Sequence, residues 1–341
     1  MAAVKFILVG CGNIGVRHAA LIHRFGILAG VCDVDENKAL QLANQYHCPS
    51  FSNFNSLLQA CQHAQVLVIC TPNGLHAAQA IQGLHAGFHV LAEKPMALTT
   101  SDCKAMIDAA NHTGKLLMVV KQNRFNPPVL AVKQAIHQNF FGKIYSVHIN
   151  CLWHRDEAYY HQSKWRGTQQ LDGGILFTQF SHFIDVLLWL LGSEVSVISA
   201  AAANMAHKST IEFEDTGVVQ LKFANGTLGS IHYSINAFKE NAEGSILLNA
   251  ENGTIKIGGK YLENITYQNL KHGKITYEET ITEANQYTGY QGSMCNHHKV
   301  YVHFLDILLH NKAPIIPNEE ALQTVALIES IHQYIQNYSI Q

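Results

Sequence analysis

The chain predicts an α/β protein in two parts. An amino-terminal doubly wound parallel sheet comes first, followed by an α+β domain with a large, mostly antiparallel open sheet. Up to about residue 120, short apolar strands alternate with helices and polar groups recur at the strand ends, the pattern of parallel βαβ units. Farther on the period changes: Val219, Leu221 and Phe223 alternate with Gln220, Lys222 and Ala224, as in a strand with one buried face. The length, 341 residues, suits two domains at roughly 100–200 residues each. The expected division is 1–122 and 123–341.

Composition narrows the function classes. With 48% hydrophobic and 14% charged residues, the chain can bury a large core and does not read as disordered. A formal charge of −2 without a basic run argues against a nucleic-acid partner held by phosphate contacts. The longest helical apolar run, Val186 to Leu191, is far short of the ~20 residues that span a bilayer. Met1 to Lys5 shows no cationic leader. Eight cysteines lack paired spacing, and several, such as Cys32 and Cys70, sit in apolar strands like core residues of a reducing compartment. The expectation is a cytoplasmic protein without membrane contact.

The first strand, Val4 to Val9, runs into Gly10-Cys11-Gly12-Asn13-Ile14-Gly15 and a helix that stops before Gly26. This is G-x-G-x-x-G in the context of strand, turn and helix. The glycines permit a tight turn and let the backbone approach a pyrophosphate resting on the helix N-terminus. The second strand ends in Asp33, eighteen residues after Gly15. An acid at about 20 residues from the motif accepts hydrogen bonds from the adenosine ribose and repels a 2′-phosphate, which favours NAD over NADP. Helices over about 36–46 and 54–60 follow. The strand Gln65 to Cys70 then leads into Thr71-Pro72-Asn73, and a helix runs to Ala86. The strand His89 to Ala92 ends in Glu93-Lys94-Pro95, where the carboxyl ends of the strands open into a ligand crevice. Thr99 to Asp102 can cap the next helix. The strand Leu116 to Val120 leads into Lys121-Gln122-Asn123-Arg124-Phe125-Asn126-Pro127.

The second half continues with a helix over about 128–138 and a long strand, Ile144 to Leu152. Trp165-Arg166-Gly167-Thr168 and Asp172-Gly173-Gly174 precede a helix read over 174–191, which carries Thr178, Gln179, His182 and Asp185. Thr178 and His182, four apart, share a helical face. A lone histidine among 21 is ordinarily a surface or core residue, but the adjacent glycines opening this helix allow close backbone approach to a ligand. Asn225-Gly226 and Asn252-Gly253 are hairpin turn dipeptides. The last helix, over about 318–334, presents Ala321, Val325, Ile328 and Ile331 as core. The free sheet face could serve an active site or a subunit contact. Cys295, His297 and His298 lack a second pair at zinc spacing, so no metal is expected.

Taken together, Gly10-x-Gly12-x-x-Gly15, Glu93-Lys94-Pro95 and Gly173-Gly174 with His182 and Asp185 resemble the Gfo/Idh/MocA oxidoreductase family over essentially the whole chain. The resemblance implies a Rossmann domain, hydride transfer between a sugar or polyol hydroxyl and a nicotinamide, and Lys94 and His182 flanking the reacting carbon. The segments 120–127, Tyr159-Tyr160, Trp165 to Thr168, Asp172 to Gly174 and Tyr287-Thr288-Gly289-Tyr290 resemble more narrowly the UDP-N-acetylglucosaminuronate 3-dehydrogenases, which begin a route to amino-sugar uronic acids of surface polysaccharides. Thr178 stands where the wider family carries Asp, so a charged partner that would raise the histidine pKa is missing.

By the same resemblance, Gly10, Gly12, Asn13, Ile14, Gly15, Asp33, Thr71, Asn73, His76, Glu93, Lys94, Gln122, Trp165 and Arg166 serve NAD. Lys94, Asn123, Arg124, Tyr159, Arg166, Thr178, Gln179 and His182 serve the substrate. Arg124 or Arg166 could grip a uronate or diphosphate with its bidentate fork, or form an interdomain salt bridge instead. Histidine suits proton abstraction near neutrality, and Lys94 would stabilise the developing alkoxide; which of them takes the proton is open. A homo-oligomer, dimer or tetramer, is implied by the family alone. Two other functions compete: a dehydrogenase of a free polyol such as inositol, against which Thr178 counts, and a catalytically silent NAD-binding sensor or scaffold.

Overall fold

The computed structural model describes residues 3–192, 194–278, 284–287 and 290–338, with the backbone alone at 284–287, 290 and 338. The chain divides into two compact units, Met1–Val120 with His297–Leu322, and Lys121–Asn296 with Gln323–Gln341. The first crossing lies two residues before the position read from sequence.

The first unit alternates β1 (Lys5–Val9), α1 (Asn13–Phe25), β2 (Ile27–Cys32), α2 (Glu36–Tyr46), β3 (Ser50–Phe51), α3 (Phe54–Ala60), β4 (Val66–Ile69), α4 (His76–His85), β5 (His89–Ala92), α5 (Thr100–Thr113) and β6 (Leu117–Val119). The strands pair in parallel in the order β3-β2-β1-β4-β5-β6. The order reverses beside β1, so the loops after β1 and β4 open at the point where doubly wound sheets bind ligands. Central strands covered on both faces need unbroken apolar runs, and β1, β4 and β5 supply them: Phe6, Ile7, Leu8, Val66 to Ile69 and Val90 to Ala92 are all fully buried. Thr99 caps α5, its side chain accepting from the Asp102 amide.

The second unit contains α6 (Pro127–His137), β7 (Ile144–Leu152), α7 (Glu157–His161), α8 (Ile175–Thr178), α9 (Ser181–Leu191), β8 (Val195–Ala203), β9 (Thr216–Phe223), β10 (Leu228–Ser234), β11 (Glu243–Ala250), β12 (Gly253–Gly258), β13 (Asn264–Leu270), β14 (Ala284–Tyr287) and β15 (Tyr290–Met294). Seven strands form one sheet, β13-β12-β11-β7-β10-β9-β8, in which β7 and β10 are parallel and every other pair is antiparallel. Strand β9 alternates as expected, burying Val219, Leu221 and Phe223. Beneath the sheet, Trp153 meets Phe180 and Phe183 edge-on at 5.5 and 5.7 Å.

Two helices end the chain. α10 (His297–His310) belongs to the first unit, and α11 begins there and runs on, Asn318–Tyr338. Ala321, Val325, Ile328 and Ile331 are core, as their spacing predicts. Among the described residues no helix is long and apolar enough to cross a membrane.

The single helix expected over 174–191 is corrected to two. At Phe180 the backbone amide bonds the Ile175 carbonyl, a slip of one residue in the helical ladder, and the next helix restarts with Phe183 N–H on the Phe180 carbonyl. The slip turns both phenylalanines toward Trp153. The Tyr287 to Tyr290 segment falls partly on residues 288–289, outside the described residues, and the side chains at 287 and 290 lie outside them too.

Candidate active site

In the first unit, the strand-end loops hold the residues expected to serve a dinucleotide. Gly10 has φ +93°, and a Cβ there would stand 2.5 Å from the Cys70 carbonyl carbon. A Cβ on Gly15 would overlap the Gly10 carbonyl oxygen. Gly12 differs: a Cβ added there meets nothing within 4 Å. It is the N-cap of α1 and lends no side chain to the amides of the first turn, Asn13 and Ile14 included. Open space before uncapped amides at a helix N-terminus fits a pyrophosphate.

Asp33 is held firmly at the end of β2. Its Oδ2 accepts the Cys11 amide at 2.7 Å and its Oδ1 the Asp35 amide at 2.8 Å. The carboxylate is thereby fixed beside the glycine turn, where a ribose hydroxyl would meet it. Burial, with Asp33 nearby, pushes the Cys11 thiol up to about 12, so it has no nucleophilic character at neutrality.

His76 is buried, with Nδ1 at 2.8 Å from the Pro95 carbonyl and Nε2 at 2.9 Å from the Thr71 carbonyl. The ring thus lies between the loop after β4 and the loop after β5, with a carbonyl of each facing one of its nitrogens. Thr71 donates to Gln79 at 2.6 Å, and Asn73 is buried in the turn after β4.

Glu93 is 5% exposed and tied on both sides. His18 Nε2 stands 2.8 Å and His297 Nε2 3.4 Å from Oε1, while Oε2 accepts the Lys94 backbone amide at 3.1 Å. Burial raises this carboxyl's pKa, but the hydrogen bonds and charge of the two histidines outweigh it and hold it well below the carboxylate range. Sequence reasoning weighed His297 with Cys295 and His298; the structure instead groups it with His18 and Glu93. The three facing atoms lie within 4.8 Å of one another, a spacing a cation could bridge, but His18 and Glu93 already stand at hydrogen-bond distance. Neither His18 nor Tyr301, which bonds His18, was singled out from sequence. The available signal was a histidine on the buried stripe of α1, with Gly15, Ala19 and Ile22.

In the second unit, the turn Gln122–Phe125 presents Gln122, Asn123 and Arg124, all buried. The Gln122 amide nitrogen is 3.4 Å from His182 Nε2. Gln179, one turn before His182, donates to Tyr159 Oη at 3.1 Å. Among the described residues, Gln122 Oε1, Asn123 Nδ2, Gln179 Oε1 and Ser181 Oγ are buried with no hydrogen-bond partner. Each such atom costs about 1–3 kcal/mol unless water or a ligand satisfies it. Arg166 lies over the Tyr159 ring at 4.2 Å and donates to the Tyr159 carbonyl and to Gln162. Trp165 is also beside its guanidinium, at 5.7 Å.

Arg124 is placed differently from Arg166. Its Nε and Nη2 donate to the two Asp185 oxygens at 2.9 and 2.8 Å, and Lys121 Nζ stands 3.1 Å from the same carboxylate. Burial works against the ionised carboxylate, yet Arg124 and Lys121 hold Asp185 far below its ordinary range. Arg124 therefore pairs within its own unit. Thr178 also has a carboxylate partner, since its hydroxyl donates to Asp172, whose other oxygen accepts the Gly167 amide at 2.8 Å. Gly173 and Gly174, at φ +83° and +115°, make the turn that sets α8 in place.

Residues 4–121 match the model of the Gfo/Idh/MocA oxidoreductase family with an NAD-binding Rossmann fold, and residues 129–256 match that family's C-terminal domain. The chain belongs to the Gfo/Idh/MocA oxidoreductases and is an NAD-dependent dehydrogenase. Its structure is similar to that of the WlbA dehydrogenase from Bordetella pertussis, a complex with NADH and UDP-GlcNAcA, at TM-score 0.86 and 34% identity, covering 98% of this chain and 97% of that one. The WlbA dehydrogenase from Chromobacterium violaceum, in complex with the same two ligands, matches at TM-score 0.89 and 30% identity, covering 99% and 95%. A 1-carboxy-3-chloro-3,4-dihydroxycyclohexa-1,5-diene dehydrogenase from Comamonas testosteroni is 32% identical over 170 residues, 50% of this chain. This chain spans 42% of that curated relative's length.

Proposed function

We propose that the enzyme oxidises the 3-hydroxyl of a UDP-linked N-acetylhexosaminuronate, a step in the synthesis of surface-polysaccharide amino sugars. Bound NAD supplies the hydride acceptor; Gly10 to Gly15, Asp33, Thr71, Asn73 and the Glu93-Lys94 loop hold it. His182 takes the hydroxyl proton, with its Nε2 turned to the Gln122 amide. Lys94 hydrogen-bonds the same oxygen and stabilises alkoxide character as it develops. Arg166 is the cation for the uronate or the diphosphate, because Arg124 is already bound to Asp185.

The observation that carries this reading is the group of partnerless amide atoms in the same unit as His182. Gln122 Oε1 and Gln179 Oε1 can accept, and Asn123 Nδ2 can donate. A ligand rich in hydroxyls and bearing an N-acyl group offers enough donors and acceptors to satisfy all of them at once. The likeness to the two WlbA dehydrogenases favours a sugar nucleotide over a free polyol. A homo-oligomer through the outer face of the large sheet also belongs to this reading, since Val218 and Leu228 are exposed there at 46% and 53%.

The test incubates purified protein with NAD and UDP-N-acetylglucosaminuronate, with and without 2-oxoglutarate to recycle the cofactor, beside myo-inositol. Reduced nicotinamide is followed by absorbance and the sugar product by mass spectrometry. Turnover on inositol alone would replace this reading with a polyol dehydrogenase. No turnover on any sugar would replace it with an NAD-binding sensor.

A further inference from the structure

A buried polar group surrounds Glu93, the residue before Lys94. His18, Glu93, His297 and Tyr301 all belong to the first unit and are all buried. Tyr301 Oη lies 2.8 Å from His18 Nδ1, and His18 Nε2 the same distance from Glu93 Oε1. The His18 and His297 rings meet edge-on at 5.7 Å. Tyr301 is itself wedged by aromatic packing, stacked on Phe25 at 5.9 Å and tilted against Phe6 at 6.0 Å.

Protonation follows from valence. An ionised carboxylate only accepts, so both Nε2 atoms facing Oε1 carry hydrogens. Tyr301 Oη, 2.8 Å from Nδ1, holds the His18 ring in place, His18 holds the Glu93 carboxylate through Oε1, and Oε2 of that carboxylate accepts the Lys94 amide at 3.1 Å. The chain of contacts starts on α10, passes through α1 and ends at the residue to which the proposed chemistry is assigned.

We propose that Tyr301, His18 and His297 are positioning residues for Lys94, acting through the Glu93 carboxylate. This rests on the reading that Lys94 contacts the reacting oxygen. None of the three touches the substrate; they set where the lysine backbone stands, and through it where the amine can reach.

Two measurements on the full-length protein test this. The first needs no substrate: amide hydrogen exchange at Lys94, read by NMR with NAD present, in wild type and in Tyr301→Phe. Exchange should speed up on the order of tenfold, the weight of one buried hydrogen bond. The second is steady-state kinetics of Tyr301→Phe, His297→Leu and His297→Gln. The first two should lower kcat on the order of tenfold with KM for NAD within about twofold. His297→Gln keeps a donor and should recover part of that loss. Unchanged exchange at Lys94 in a folded, NAD-binding Tyr301→Phe protein would overturn the proposal, and so would faster exchange with unaltered kcat. If His297→Leu does not fold, Tyr301→Phe decides alone. Absence of wild-type turnover would sink the functional reading instead, and the exchange measurement would still decide whether the network holds the loop.

Discussion

Replacing Asp185 with asparagine keeps the side-chain shape and removes the charge that Arg124 and Lys121 share. All three groups are buried, at 1%, 3% and 2% exposure for Arg124, Lys121 and Asp185. Two cations in a low-dielectric interior would lose the carboxylate lying 2.8 and 3.1 Å away. Breaking a buried ion pair by deleting one partner typically costs about 3–5 kcal/mol, because the other charge is left desolvated. For a unit of about 150–250 residues each kcal/mol moves the melting temperature by roughly 2–4 °C, so Asp185→Asn should lower it by about 6–20 °C. The assay is thermal unfolding by circular dichroism at neutral pH. The companion variant Lys121→Met, Arg124→Met, Asp185→Leu should melt much closer to wild type, since apolar replacement of a whole buried group is often neutral. An Asp185→Asn protein melting within about 2 °C of wild type would refute the argument. So would a triple variant that melts no higher than Asp185→Asn.

Gly12→Ala should leave the melting temperature of the NAD-free protein unchanged, since its Cβ meets nothing, while weakening NAD binding in calorimetry by at least about tenfold; Gly10→Ala, at φ +93°, should lower stability as well. Asp33→Ala should narrow the preference for NAD over NADP, read as the ratio of kcat/KM values, because the carboxylate that repels a 2′-phosphate is gone. Lys94→Ala should reduce kcat by orders of magnitude with NAD still bound, and equal activity would remove Lys94 from the mechanism. In acid, the desolvated imidazoles dominate: buried His76, His297 and His303 and half-buried His89 all have lowered pKa values, with loss of solvent the first cause in each. A histidine depressed in the folded state contributes fully above the ordinary value of about 6.5, and the contribution drains as pH falls through the folded value. Glu93 and Asp185 are depressed too, so their contributions are lost only in stronger acid. The melting temperature should therefore hold steady above about pH 6.5 and fall below it, and His297→Gln should flatten that fall; a rise in stability on acidification would contradict the assignment.

Legibility from sequence depended on whether a demand was local. The glycine turn could be read because its constraint is backbone space within six residues, and Asp33 because its distance from the turn is fixed by one strand and one helix. Strand β9 could be read because a half-buried strand must alternate. Networks whose members are far apart in the chain gave no such trace. His18 bonds partners 75 and 283 residues away, and Arg124 meets Asp185 across 61. No pattern in a window of ten or twenty residues encodes those pairs, and an arginine beside a polar turn reads equally well as an anion site. Thr178 shows the same limit over a shorter span. Read alone it is a missing acid, yet Asp172, six residues earlier and folded back by the left-handed turn at Gly173 and Gly174, brings a carboxylate to its hydroxyl. The partner of the Thr178 hydroxyl is set by the turn between the two residues, which position 178 read alone does not supply.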